Sequence, residues 1–409
     1  LQHPYRFFIS LGAAVLGVTL FFPSEARSAG DSLTVLETAG RFSELQKQIE
    51  NRLGSGEKPT VTLIGPLCVA HQNLKQYAKL FECLTKLEQL IQEGDTKIKA
   101  DYVFVSPADS RPLPDTLRAE ALLELGRYEE AIATGLRALE AIPQGKAVDM
   151  SIWPPLKYRL TILPVLAIAS VHAKHVEHAR KFIGQLEETS IPFVGGSLLS
   201  PIKENGLARA YMAVGEYTKA LDMLGGSGLR NITTTLTDLT TPFAYRGDSI
   251  AALTELRRLV TRSKALIETA QLKEARDILD QLLVLPRLKD VGDLYWIALF
   301  ERGRIADAEK ETGKAAELYR QAVELVELQR SSINTEASKI GFVGDKQQLY
   351  TRLVAVLIEQ GRIVEAFEYV ERAKARALVD MLATKQDFAV HTANAGGVRT
   401  LLAKADTAE

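Results

Sequence analysis

Three groups of residues have types and spacings that could do chemistry. His172, His175 and His178 fall close together, with Glu177 between them. Imidazoles at i and i+3 on one helix can share a metal ion. A turn is expected near Lys174, however, and it would split these histidines between two helices, so they read as turn side chains and no metal site is assigned. Cys68 and Cys83 are the only two cysteines in the chain. They are spaced to sit mid-way along the two helices of one hairpin. Two readings stay open for them, a disulfide bridge or a pair of buried small apolar residues. Two cysteines at this spacing do not make a zinc site. Asn205 and Arg209 stand one helical turn apart and could clamp a peptide backbone or a carboxylate. The chain carries no Gly-rich phosphate loop, no Gly-x-Ser-x-Gly elbow and no His-Glu-x-x-His. No nucleophile–base pair is recognisable, so the chain is not expected to be an enzyme and no cofactor is assigned.

The elements that must position these groups follow one skeleton. A Gly is followed two residues later by an apolar residue and five later by a small one. It occurs at Gly126, Tyr128 and Ala131, at Gly215, Tyr217 and Ala220, and at Gly361, Ile363 and Ala366. Further turns are expected near Gly40, Lys75, Lys174, Ala270 and Gly313. This is the turn and second helix of a tetratricopeptide (TPR) unit. The expected fold is therefore all-α, a TPR-like solenoid of about seven to eight helical hairpins. A hydrophobic fraction of 46% is enough for a continuous core, and 7% aromatics with abundant Ala and Leu favour close-packed helices over a β-sandwich. Lys plus Arg is 50 against 51 Asp plus Glu, a net charge of -1. That balance gives no overall field for nucleic acid. The expected partner is an unidentified protein or peptide.

Arg6 precedes an apolar stretch, Phe7 to Phe22, which is followed by Pro23 and Ser24-Glu25-Ala26. A spanning helix needs about 20 residues, so this segment is short for one. It reads as a signal peptide over 1–26 with cleavage after Ala26, giving a secreted or periplasmic product. The alternative is a membrane anchor formed by residues 7–22. Hairpins are expected over 27–224 and 248–386, with a linker or loop at 225–247. Residues 387–409 read as a linker toward a further domain. Asp101–Pro114, with its prolines and Tyr-Val-Phe-Val, reads as an extended insertion. Ser331–Gly344 reads as another connection.

Several phrases taken together carry a family resemblance. They are Asp293-Leu-Tyr-Trp-Ile-Ala-Leu, Ala315-Ala-Glu-Leu-Tyr-Arg-Gln-Ala-Val-Glu-Leu, Gln348-Leu-Tyr-Thr-Arg-Leu and, above all, Glu371-Arg-Ala-Lys-Ala-Arg-Ala-Leu-Val-Asp-Met-Leu382. This region resembles the TPR part of bacterial CHAT-domain proteins. The resemblance covers about residues 290–385 strongly, and the rest only as TPR. It implies that a caspase-like cysteine peptidase domain with a His–Cys dyad would follow the repeats. No residue of this chain matches that dyad, since Cys68 and Cys83 lie among the helices and no cysteine follows His391. The leading expectation is thus the regulatory, protein-binding portion of such a protein. The alternatives are the N-terminal part of a peptidase whose catalysis lies beyond residue 409, and a metal- or small-molecule-binding helical protein.

TPR arrays bind extended peptides on the face lined by their first helices. Spacing from the Gly215 turn puts Ile202, Asn205, Arg209 and Met212 there. The equivalent positions of the last unit, Gln348, Thr351, Ala355 and Ile358, carry little charge. A clamp made of several residues is therefore not expected, and Arg209 reads as a solvated side chain. Arg372, Lys374 and Arg376 form a charged stripe that could dock a following domain or simply face solvent.

Overall fold

The computed structural model describes residues 33–38, 40–98, 108–143, 153–191, 196–225, 252–331 and 346–384. The expected signal peptide over 1–26, most of the 225–247 connection, the 332–345 connection and residues 387–409 lie outside these. Helices come in sequential pairs: α1 (Leu33–Thr38) with α2 (Phe42–Gly54), α3 (Val61–Asn73) with α4 (Tyr77–Gln92), and α5 (Leu113–Glu124) with α6 (Tyr128–Ala141). There follow α7 (Trp153–His172) with α8 (Val176–Glu188), α9 (Gly196–Ala213) with α10 (Tyr217–Met223), and α11 (Ala252–Glu268) with α12 (Leu272–Leu283). A short 3-10 turn (Pro286–Asp290) leads to α13 (Gly292–Ala308) with α14 (Thr312–Ser331), and then α15 (Gln347–Glu359) with α16 (Ile363–Thr384). The protein is an all-α solenoid. Its one departure among the described residues is a two-stranded antiparallel ribbon, β1 (Lys97–Ile98) against β2 (Ala108–Asp109).

Every hairpin turns on one residue with left-handed backbone: Gly40, Lys75, Gly126, Lys174, Gly215, Ala270, Lys310 and Gly361. The turn amide bonds a carbonyl three residues back and the next amide one five back, as in Gly126 N–H to Leu123 O (3.1 Å) and Arg127 N–H to Leu122 O (2.8 Å). These bonds satisfy carbonyls that the end of a helix leaves without partners. The expected turn at Gly313 is corrected by this pattern. It lies three residues earlier, at Lys310 (φ 64°), and Gly313 sits in the first turn of α14. Measured from Lys310 the unit is regular, with the small residue Ala315 five positions on and fully buried. A lysine can occupy the left-handed region at a cost, and here Gly313, three residues on, drew the turn away from it. The Asp101–Pro114 insertion is also shorter than expected. Its end pairs as β2, and Pro114 falls within the first turn of α5, where proline is tolerated.

The two helices of a hairpin have different surfaces because their surroundings differ. Second helices bury one stripe, as α12 does with Ala275, Ile278, Leu279 and Leu282. First helices inside the stack are more fully enclosed, as α3 is from Val61 to Asn73, whereas α15 at the end buries one stripe. They pack on their own partners and also on one another, α3 on α5, α5 on α7, α7 on α9, α9 on α11 and α11 on α13. The first helices thus form a continuous inner row. Close approach along the stack is set by small residues. A Cβ on Gly206 would come within 2.7 Å of Pro164 Cγ, so α9 lies tight against α7. At the far end, Ile358, Ile363, Val364 and Phe367 of the last hairpin are exposed.

Candidate peptide-binding site on the inner face

The row of first helices curves enough to bring distant units together. Asn73, at the end of α3, accepts a hydrogen bond through Oδ1 from Arg257 Nη2 on α11 at 2.7 Å. Lys75, in the next turn, reaches Glu124 Oε1 of α5 at 2.8 Å and Asp293 Oδ2 of α13 at 3.6 Å. Tyr77 donates its hydroxyl to Glu124 Oε2 at 2.7 Å. Leu253 of α11 packs over Gly40, where an added Cβ would lie 3.3 Å from its Cδ1. Units from the two halves of the solenoid therefore meet across one inner surface.

That surface is charged, with Lys75 buried and Glu124 and Asp293 partly exposed. Burial opposes the charge on Lys75, but Asp293 and Glu124 more than offset it and hold the ammonium above its usual range. Burial likewise works against Asp293, yet Lys75, Arg257 and Arg209 keep its carboxyl below the usual range. Glu120, on the same side of α5 as Glu124, goes the other way: burial raises it despite Arg257 and Arg209 nearby. Arg209 is the informative case. Its side chain reaches water, but desolvation by the surrounding walls and then the neighbouring Arg257 lower its pKa. By accessible surface Arg209 is exposed on this face. One turn before it, Asn205 is 7% exposed, and its Oδ1 has no hydrogen-bond partner among the described residues. Ile202 and Met212 are half-buried and pack against the core.

The spacing from the Gly215 turn thus places Arg209 where charges from α5, α11 and α13 converge. It gave no sign of Lys75, Glu120, Glu124, Arg257 or Asp293 as neighbours. One signal was available. Lys75 stands where other turns carry glycine, and a residue held in a strained conformation with its side chain buried often serves a purpose. This gives a prediction. Lys174→Gly relieves a left-handed lysine whose side chain is exposed, so it should stabilise the chain by about 0.5–1 kcal/mol. Lys75→Gly relieves the same backbone but removes the ion pairs with Glu124 and Asp293, so it should be net destabilising. Denaturant midpoints of the two variants check this, and equal gains would show that the Lys75 ion pairs contribute nothing.

The remaining candidates separate. His172 stacks on Tyr128 with centroids 4.8 Å apart, while His175 meets Glu129 Oε1 at 2.9 Å from the other side of the turn. Among the described residues no cluster of three or more His, Cys, Asp or Glu could hold a metal. Cys68 and Cys83 are bonded to each other across the α3–α4 hairpin, with Cα atoms 5.6 Å apart. Arg372 lies over the Tyr369 ring (5.3 Å) and approaches Glu327 Oε2 of α14 (3.9 Å), so it serves contacts within the last two hairpins. The side chains of Lys374 and Arg376 lie outside the described set.

No family model matches the chain, and no curated protein does. Among solved structures, the crystal structure of a Rap protein complexed with competence and sporulation factor aligns over 86% of this chain and 95% of that one. The identity is 13% and the TM-score 0.42. A likeness at that level bears on neither ligand nor mechanism, and the fold assignment rests on the helices and turns of this chain.

Proposed function

We propose that this chain is a protein-interaction scaffold that binds an extended segment of its partner along the row of first helices. The observation that carries this reading is the inner face itself. Lys75 joins Glu124 of α5 to Asp293 of α13, Asn73 accepts from Arg257 of α11, and Arg209 of α9 is exposed on the same row of first helices. Desolvating charge is costly unless something compensates for it, and a bound backbone with polar side chains would do so. The reading extends to the TPR portion of an exported CHAT-type protein, supported by the 290–385 phrases and the apolar 7–22 segment. Catalysis, in a parent of the peptidase kind, would then reside outside residues 1–409.

A photo-crosslinking side chain placed at Met212, on the inner face, should capture a partner from a bacterial envelope extract. The same group at Lys181, on the exposed side of α8, should not. Capture from Lys181 alone would move the interaction to the outer face and end this reading.

A further inference from the structure

We infer that the solenoid is latched: the turn of the α3–α4 hairpin closes the row of first helices onto itself, and a partner segment reaches the inner face only when this contact opens. The inference rests on the scaffold reading and names what governs access to that face. Along the row, first helices meet in chain order, α3 on α5 through to α11 on α13. The α3–α4 turn skips that order. Asn73 Oδ1 accepts from Arg257 Nη2 of α11 at 2.7 Å, across 184 residues of chain. Two residues on, Lys75 Nζ meets Glu124 Oε1 of the adjacent unit at 2.8 Å and Asp293 Oδ2 of α13 at 3.6 Å. A Cβ on Gly292, at the start of α13, would lie 3.8 Å from Lys75 Cγ, so the stem of the lysine packs there as well. Leu253 of α11 covers Gly40 of the first turn and adds an apolar contact between the same two regions. The row from α3 to α13 is therefore joined at its ends. The Cys68–Cys83 bridge closes the loop that bears Asn73 and Lys75, which keeps this arm of the latch stiff.

The latch has the make-up of a contact that opens. Joints between neighbouring units are apolar and tight, as at Gly206 against Pro164. Across the latch the polar contacts are made by side-chain tips, and the Asp293 side chain keeps 30% of its exposure. Glu124 belongs to the unit next to Lys75 and travels with it. When Asp293 leaves, the buried lysine stays paired, so opening avoids the large cost of stranding a buried charge. Contacts of this kind part before the packed units do. Closed, the latch puts Asn73, Lys75 and their partners where a segment lying along the row from α5 to α13 must pass. A segment that binds only the opened row draws the population toward it, and the latch sets how much affinity that takes.

The test uses the whole chain with its disulfide intact and needs no partner. Spin labels are attached through non-natural residues at Lys79 of α4 and Lys273 of α12, both exposed. Wild type is compared with Arg257→Met/Asp293→Asn, which removes the two long-range polar contacts and spares Lys75 with Glu124. The far-ultraviolet spectrum reports whether the variant folds. Wild type should give one narrow distance distribution, and the variant a longer and broader one. Access is read separately at Arg209→Cys, exposed on α9 in the middle of the row. The reagents are iodoacetamide and a maleimide carrying a long polyethylene glycol chain. Opening the latch should speed the bulky reagent about ten-fold, the effect of losing about one charge-assisted hydrogen bond, and leave the small reagent unchanged. Identical distance distributions would overturn the latch. Equal rates for the bulky reagent would show that the contact does not govern access, and would overturn the inference too. Should the double variant not fold, Asp293→Asn alone replaces it and the same outcomes decide. Neither readout involves a partner, so failure here leaves the scaffold reading to the Met212 capture, whose failure in turn leaves the latch measurements standing.

Discussion

Replacing Cys68 and Cys83 together by alanine is expected to lower stability by about 3 kcal/mol, the chain-entropy value for a loop of 15 residues. The two sulfurs join the middle of α3 to the middle of α4, and both residues are buried. Alanine fills much of the space, so most of the loss should come from the freed chain and less from packing. The loss should also be local. A linear array transmits damage mainly to its neighbours, so hydrogen exchange should rise first in α3, α4 and the adjoining α2 and α5. Protection in α13–α16 should hardly change, except through Lys75 and Asp293, which connect the two regions. Reducing the wild-type protein should reproduce the variant. Thiols that react with maleimide before reduction, or exchange rates that are the same before and after it, would show that the two cysteines act only as buried apolar residues.

The second large effect is expected at Gly303. It lies in the middle of α13, where glycine lowers helix propensity by about 1 kcal/mol relative to alanine. Yet a Cβ there would sit 2.6 Å from Cε1 and 2.7 Å from Cδ1 of the Tyr319 ring. Tyr319 is fully buried and tilts against Phe300 at 5.8 Å, so the ring has nowhere to go. Gly303→Ala should therefore cost about 2 kcal/mol net, within the range for overpacking, despite the gain in propensity. Tyr319→Leu alone should also destabilise, by loss of buried area. Added to Gly303→Ala, however, it should recover part of the loss, and a double-mutant cycle measures that coupling. Additive losses in the cycle would mean that α13 and α14 cross elsewhere than at Gly303. Other faces of α13 carry charge: Arg302 is buried and meets Asp280 Oδ1 of α12 at 2.6 Å, while Glu301 is held by Arg304 along α13 itself at 2.8 Å.

Much of the fold was legible in the chain because its rules are local. Leu80, Ala131, Ala179, Ala220, Ala275 and Ala366, each five residues past a turn, are all nearly or fully buried. That spacing depends only on helical periodicity and on the turn that precedes it. The hairpin of Cys68 and Cys83 was placed for the same reason, and whether the sulfurs could meet was a matter of two adjacent helices. The unit after α13 was misread because the left-handed position is a backbone state that lysine can adopt, and the neighbouring Gly313 drew the turn three residues past Lys310. The inner surface is a different kind of fact. Arg209 could be assigned to a face, but Lys75 touching Asp293, or Arg257 bonding Asn73, depends on the curvature summed over several hairpins. Small rotations at each interface, set by contacts such as Gly206 against Pro164, accumulate along the array. Residues far apart in sequence meet only after that sum is complete. Local pattern therefore determined the helices, their pairing and the faces they present. Tertiary packing alone decided which charges meet across the inner row of helices.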